Sequence, residues 1–180
     1  EILIGLVGSE MCIRDRSKSK ESMKAEVITF LERFDIEHAT PDSQMAYMFN
    51  EWDDFEVADK FGKSYGQNEF FENDQRKVIN DLIKSNRPKW VIALYNSATI
   101  ILKRRFQRKI LINPTVTYND LNNVSEFDRH YTYGFFDKDH EKDYELFQKV
   151  YPNSAWYGDT KSLRLCDIEA VVKGILEDNP

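Results

Sequence analysis

Trp90-Val91-Ile92-Ala93-Leu94-Tyr95-Asn96-Ser97 is the stretch on which the fold turns. Five apolar residues in a row, at strand length, read as a strand covered on both faces, because a half-exposed strand would alternate apolar with polar. Ser97 to Arg105 then reads as a helix. Lys109-Ile110-Leu111-Ile112 is a second buried strand, ended by Asn113-Pro114. A polar loop leads to a strand at Tyr131 to Phe136, a helix at Asp139 to Val150, a short strand at Ser154 to Tyr157 and a last helix at Asp167 to Leu176.

Upstream, Met23, Val27, Phe30, Leu31 and Phe34 fall at helical spacing, so Ser17 to Phe34 is expected to be a helix. Asp35 to Pro41 reads as a short strand, and Asp42 to Gly66 as a short helix followed by an irregular, aromatic excursion whose rings read as core or as a lid over a pocket, core being favoured. Asn68 to Ser85 is a clear amphipathic helix, broken by Asn86-Arg87-Pro88. Strands and helices alternate, and parallel strands need crossover connections. The expected fold is therefore α/β: three layers, a mostly parallel sheet with helices on both faces. Chemistry in such sheets sits beyond the carboxyl ends of the strands.

The chain has 180 residues and a formal net charge of -6, which argues against a nucleic-acid binder, whose affinity rests on clustered Lys and Arg. One basic run, Lys103 to Lys109, reads as the solvated end of a helix, where cations meet free carbonyls. Hydrophobic residues at 41% and aromatic residues at 13% exclude a disordered chain. No apolar run approaches the ~20 residues that span a bilayer, so no membrane contact is expected.

Residues 1–16 stand apart. Leu6 to Asp15, LVGSEMCIRD, resembles the in-frame translation of a transposon-end sequencing adapter, so the domain is expected to occupy 17–180 and to be truncated at its N-terminus. Cys166 is then the only cysteine, which fits no internal disulfide or cysteine metal site and suggests a reducing, cytoplasmic setting. No cofactor motif is read.

Several short segments resemble small single-domain α/β-hydrolases of the YqiA esterase type. Ser17-Lys18-Ser19-Lys20-Glu21-Ser22 is similar to the stretch after that family's HGF-type turn, and Leu111-Ile112-Asn113-Pro114-Thr115-Val116 to its NPAV strand end. Tyr133-Gly134-Phe135-Phe136-Asp137 resembles the turn presenting the triad acid. Tyr151-Pro152-Asn153 and Tyr157-Gly158 resemble the approach to the catalytic-histidine loop. The resemblance implies a Ser-His-Asp esterase with its oxyanion loop upstream of Ser17.

That mechanism needs a serine on a strand-to-helix turn too tight for large flanking residues. After Trp90–Leu94 the register that satisfies the turn puts Tyr95 in the nucleophile slot, between Ala93 and Ser97; Ser97 itself is expected to cap the next helix. The histidine slot falls at Leu163. The only histidines are His38, His130 and His140, and His140 is expected at a surface position on the first turn of a helix. Asp137 reads either as the triad acid or as a helix-start acid favoured by the backbone dipole. The one literal G-x-S-x-G, Gly62-Lys63-Ser64-Tyr65-Gly66, lacks a buried strand before it and reads as a glycine loop, leaving Ser64 as a weak alternative nucleophile.

The expectation is an α/β-hydrolase-like protein with substituted nucleophile and histidine slots, acting as a binding or scaffold protein toward a small ester or acyl ligand. Whether it is an enzyme stays open. Two alternatives stand beside it: an active ester or thioester hydrolase using other residues, and a flavodoxin-like binding domain. The latter lacks any readable Gly-rich phosphate loop.

Overall fold

Val27-Ile28-Thr29-Phe30 overturns the first expectation. In the computed structural model, which describes residues 26–31, 41–66 and 74–179, it is a strand rather than part of a helix. All four residues are buried, and three are β-branched, a shape that packs well on a pleated surface. The apolar spacing that suggested a helix is satisfied equally by a short strand covered on both sides. The strand expected at Asp35–Pro41 lies outside the described residues apart from Pro41, which starts a helix, where its missing N–H costs nothing.

The elements run β1 (Val27–Phe30), α1 (Pro41–Phe61), β2 (Lys63–Tyr65), α2 (Gln75–Asn86), β3 (Trp90–Leu94), α3 (Asn96–Leu102), β4 (Arg108–Ile112), α4 (Glu126–Tyr131), β5 (Thr132–Asp137), α5 (Glu141–Phe147), β6 (Ser154–Tyr157) and α6 (Glu169–Asp178). Short 3₁₀ turns occupy Tyr118–Leu121, Lys138–His140 and Leu165–Ile168. The six strands form one parallel sheet in the order β2-β1-β3-β4-β5-β6.

Side chains alternate across each strand, so the inner strands feed two cores. Val27, Trp90, Ile92, Ile110 and Phe135 pack with Val57 and Ala58 of α1 and with Val172 and Ile175 of α6. Ile28, Val91, Leu111 and Phe136 pack with Ile79 and Ile83 of α2, Ile101 of α3 and Phe147 of α5. The three-layer α/β expectation holds. Among the described residues no helix is long and apolar enough to cross a membrane.

Two segments differ from their sequence reading. Asp42–Gly66 is one long helix followed by an edge strand, so the supposed glycine loop around Ser64 is itself β2. The basic run is a solvated helix end only at its start, where the exposed Lys103 caps α3. α3 stops at Leu102, and Lys109 lies inside β4 with its Nζ 3.4 Å from the carboxylate of the buried Asp128. Asp128 also accepts hydrogen bonds from the N–H groups of Phe106 and Gln107 at 2.8 and 3.2 Å. A strand-length apolar run beside a buried carboxylate draws in the lysine that closes its charge.

Register aligns the carboxyl ends: Leu94 sits beside Ile112, Ile112 beside Phe135, and Asp137 beside Tyr157. The residues that follow these strands therefore emerge on one edge. Gly134 in β5 makes the neighbouring packing possible, since a Cβ there would sit 2.5 Å from the Phe147 ring and 2.8 Å from that of Phe136. Both rings are buried. Gly134→Ala is expected to destabilise by about 1–3 kcal/mol through overpacking, read as a fall of several degrees in Tm by thermal melting.

Candidate functional site

β3 ends in an abrupt turn. Tyr95 has φ 56° and ψ −115°, a region open to glycine and strained for any residue with a Cβ. The turn is held from both sides: Tyr95 N–H donates to Ile112 C=O at 2.8 Å, and Thr99 N–H and Oγ1 donate to Tyr95 C=O at 3.0 and 3.2 Å. Ala93 and Ser97, the flanks that must be small, are fully buried. Ser97 caps nothing, contrary to expectation. It lies inside α3, and its hydroxyl is buried without a hydrogen-bond partner among the described residues.

The Tyr95 ring is half-buried rather than sunk in the core. Its hydroxyl donates to the Leu163 carbonyl at 3.4 Å, in the segment between β6 and α6. The His140 ring lies against it, centroids 5.8 Å apart at 76°. The phenol thus fills the space between the turn after β3 and the segment after β6.

Asp137 ends β5 and is buried. Each carboxylate oxygen accepts two hydrogen bonds. Oδ2 takes Asn113 Nδ2 and Leu163 N–H, both at 2.8 Å. Oδ1 takes Asp139 N–H at 3.1 Å and His140 Nδ1 at 2.8 Å. Burial alone would raise its pKa, but the bonds from His140, Leu163 and Asn113 outweigh it and hold the carboxyl below its ordinary range. Asp137 is buried, bonds His140 and caps the 3₁₀ turn Lys138–His140.

His140 is the residue that sequence reasoning misplaced. Its side chain is 26% exposed and paired with Asp137 rather than standing free on the surface. The hydrogen bond to Asp137 raises its pKa above the ordinary value, against a smaller lowering by burial. The available signal was the i,i+3 spacing of Asp137 and His140, which one helical turn brings together. Asn113, missed as a site residue, sits buried at φ 53° and returns the favour to β5, accepting from Asp137 N–H at 3.0 Å. Asparagine tolerates that left-handed backbone better than most residues.

The other candidates lie elsewhere. Leu163 is buried and contributes only backbone atoms. Ser64 is in β2, separated from β3 by β1, and its hydroxyl donates to the Asp59 carboxylate. His130 is exposed on α4, edge-on to Tyr131, and His38 lies outside the described residues. Among the described residues no group of His, Cys, Asp and Glu is placed to hold a metal ion. Comparison with protein-family models, curated proteins and solved structures gives no match to the chain.

Backbone strain at Tyr95 has a direct readout. Tyr95→Gly and Tyr95→Ala both lose the ring, but only glycine relaxes the turn, so the glycine variant is expected to be more stable by about 1–2 kcal/mol in denaturant unfolding. The Asp137–His140 pair makes stability depend on pH. His140, raised above 6.5, contributes stability that is complete below that value and lost as pH rises through its folded pKa. Asp137, lowered from 3.8, contributes stability present above that value and lost as pH falls through its folded pKa. The Tm deficit of His140→Gln is therefore expected to be largest between these limits, roughly a few degrees at about pH 5.5, and to shrink in melts at alkaline pH.

Proposed function

We propose that this chain is an α/β-hydrolase-like protein in which the acyl-enzyme route is closed, and which holds a small ester or acyl ligand at the Tyr95 turn as a binding or scaffold protein. One observation carries the reading: the strained strand-to-helix turn after β3 is kept, and a phenol stands where such a turn would present a nucleophilic hydroxyl. A strained backbone is retained when the surroundings over-determine it, and such turns cluster at functional sites.

The chemistry of the residues present supports closure of the covalent route. A phenol of pKa ~10 is a poor stand-in for an activated serine, and the Tyr95 hydroxyl directs its proton to the Leu163 carbonyl. The histidine slot after β6 is filled by an apolar, buried side chain. Asp137 ends β5 with four hydrogen-bond donors around its carboxylate, so the frame outlasts the missing groups. A reducing, cytoplasmic setting goes with this reading, supported by Cys166 as the only cysteine after residue 16.

A second reading has one observation in its favour. The order β2-β1-β3-β4-β5 is that of flavodoxin-like sheets, which bind FMN at the β1/β3 crevice. The sharp turn at Tyr95 favours the first reading, since a phosphate site needs main-chain N–H groups rather than a raised side chain. Titration with FMN, followed by flavin fluorescence, is expected to show no quenching.

Rapid mixing with 4-nitrophenyl acetate and intact-mass analysis after a fluorophosphonate probe test the closed route directly. The expected result is no stoichiometric burst and no adduct. A burst equal to the protein concentration, or an adduct on any one side chain, overturns the reading.

A further inference from the structure

Of the four donors that surround Asp137, three are fixed amide groups, and only His140 has a second titratable atom. Asp137 is an ionised carboxylate and can only accept, so Nδ1 carries the shared proton and donates it to Oδ1. In the neutral ring, Nε2 then holds the lone pair. Nε2 has no hydrogen-bond partner among the described residues, and the side chain reaches solvent beside the Tyr95 ring. A buried carboxylate that fixes the tautomer of a part-exposed imidazole is the arrangement by which a base is aimed and strengthened.

We infer that His140 is a general base that activates water against an acyl group bound at the Tyr95 turn, a route needing neither a serine nor a histidine after β6. It rests on the ester or acyl ligand class proposed above and goes beyond it to an activity. Water oxygen bonds to the carbonyl carbon while Nε2 takes the water proton and the carbonyl π pair moves to oxygen. The tetrahedral species then collapses, the bond to the leaving oxygen breaks with its electron pair, and that oxygen takes the proton back from Nε2. One water is consumed, and acid and alcohol are released.

Charge around the ring suits a base. Asp137 at the end of β5, Asp139 in the 3₁₀ turn and Asp143 in α5 all raise its proton affinity, while the turn after β3 offers it the uncharged Tyr95 ring and the segment after β6 donates the Leu163 N–H to Asp137. The rate is therefore expected to rise with pH as a single group deprotonates and to level off above the ordinary histidine value of 6.5.

The test is steady-state hydrolysis of 4-nitrophenyl acetate by the full chain, compared with free imidazole at equal concentration. The expected progress curve is linear from the first turnover. His140→Gln should lose roughly 10²-fold in kcat/KM, His130→Gln should match the unchanged protein, and His140→Gly should regain rate on adding imidazole, which a structural role would not produce. Melting curves at neutral pH establish that each variant is folded. A rate no greater than that of free imidazole, or one retained in His140→Gln, overturns the inference while leaving the closed elbow standing. A burst overturns both.

Discussion

A carboxylate without water costs several kcal/mol unless its charge is matched by donors that stay in place, and Asp137 meets that demand with donors drawn from separate parts of the chain. Asn113 brings the end of β4, Leu163 the segment after β6, and Asp139 and His140 the turn that follows β5 itself. Two bonds fall on each oxygen, so removing any one donor exposes a buried lone pair. The carboxyl edge of the sheet is organised around this one charge. The interlock with Asn113 runs both ways, since the same amide accepts from the Asp137 N–H, and it fixes how far β4 and β5 extend before their loops diverge.

Tyr95 depends on that edge being rigid. A non-glycine residue at φ 56° and ψ −115° is retained only where neighbours over-determine it. Here the neighbours are the Ile112 carbonyl on one side and Thr99 on the other, with Ile112 one residue before Asn113. The strained turn and the buried carboxylate are thus linked through the last two residues around the end of β4. Filling the turn with a ring adds contact with Leu163 and His140 that a smaller side chain would forgo. The phenol is a brace across the site.

How much of this the sequence discloses follows from range. β3, β4 and β6 are legible because a parallel strand buried on both faces, or one bounded by turn residues, writes its limits into consecutive residues. The tight turn at Tyr95 is legible from its small flanks, Ala93 and Ser97. β1 is not, because Val27, Phe30 and Leu31 fit a helical stripe as well as a covered strand, and only the pairing of Ile28 with Val91 decides between them. α1 hides for the opposite reason, since it carries no amphipathic stripe to be seen. Lys109 reads as a surface charge until Asp128, nineteen residues on by sequence number, is found beside it. Asn113 and the Leu163 N–H are equally out of reach, being long-range hydrogen bonds to one carboxylate. The pairing of His140 with Asp137 is local, and a single-turn spacing carried it all along.

That locality leaves the segment after β6 with no imidazole to supply. If an imidazole from that segment oriented on Asp137, its position would depend on a long excursion between β6 and α6. With Leu163 there instead, the segment still satisfies Oδ2, but through a main-chain N–H that any residue supplies. The leucine side chain is released to the core, where it packs with Trp90, Ile92 and Val172. Oδ1 is left for a histidine three residues away on a 3₁₀ turn that Asp137 itself caps. The imidazole at this edge is therefore placed by the shortest connection the backbone allows. Its geometry is set once β5 ends, without reference to how the later chain is arranged.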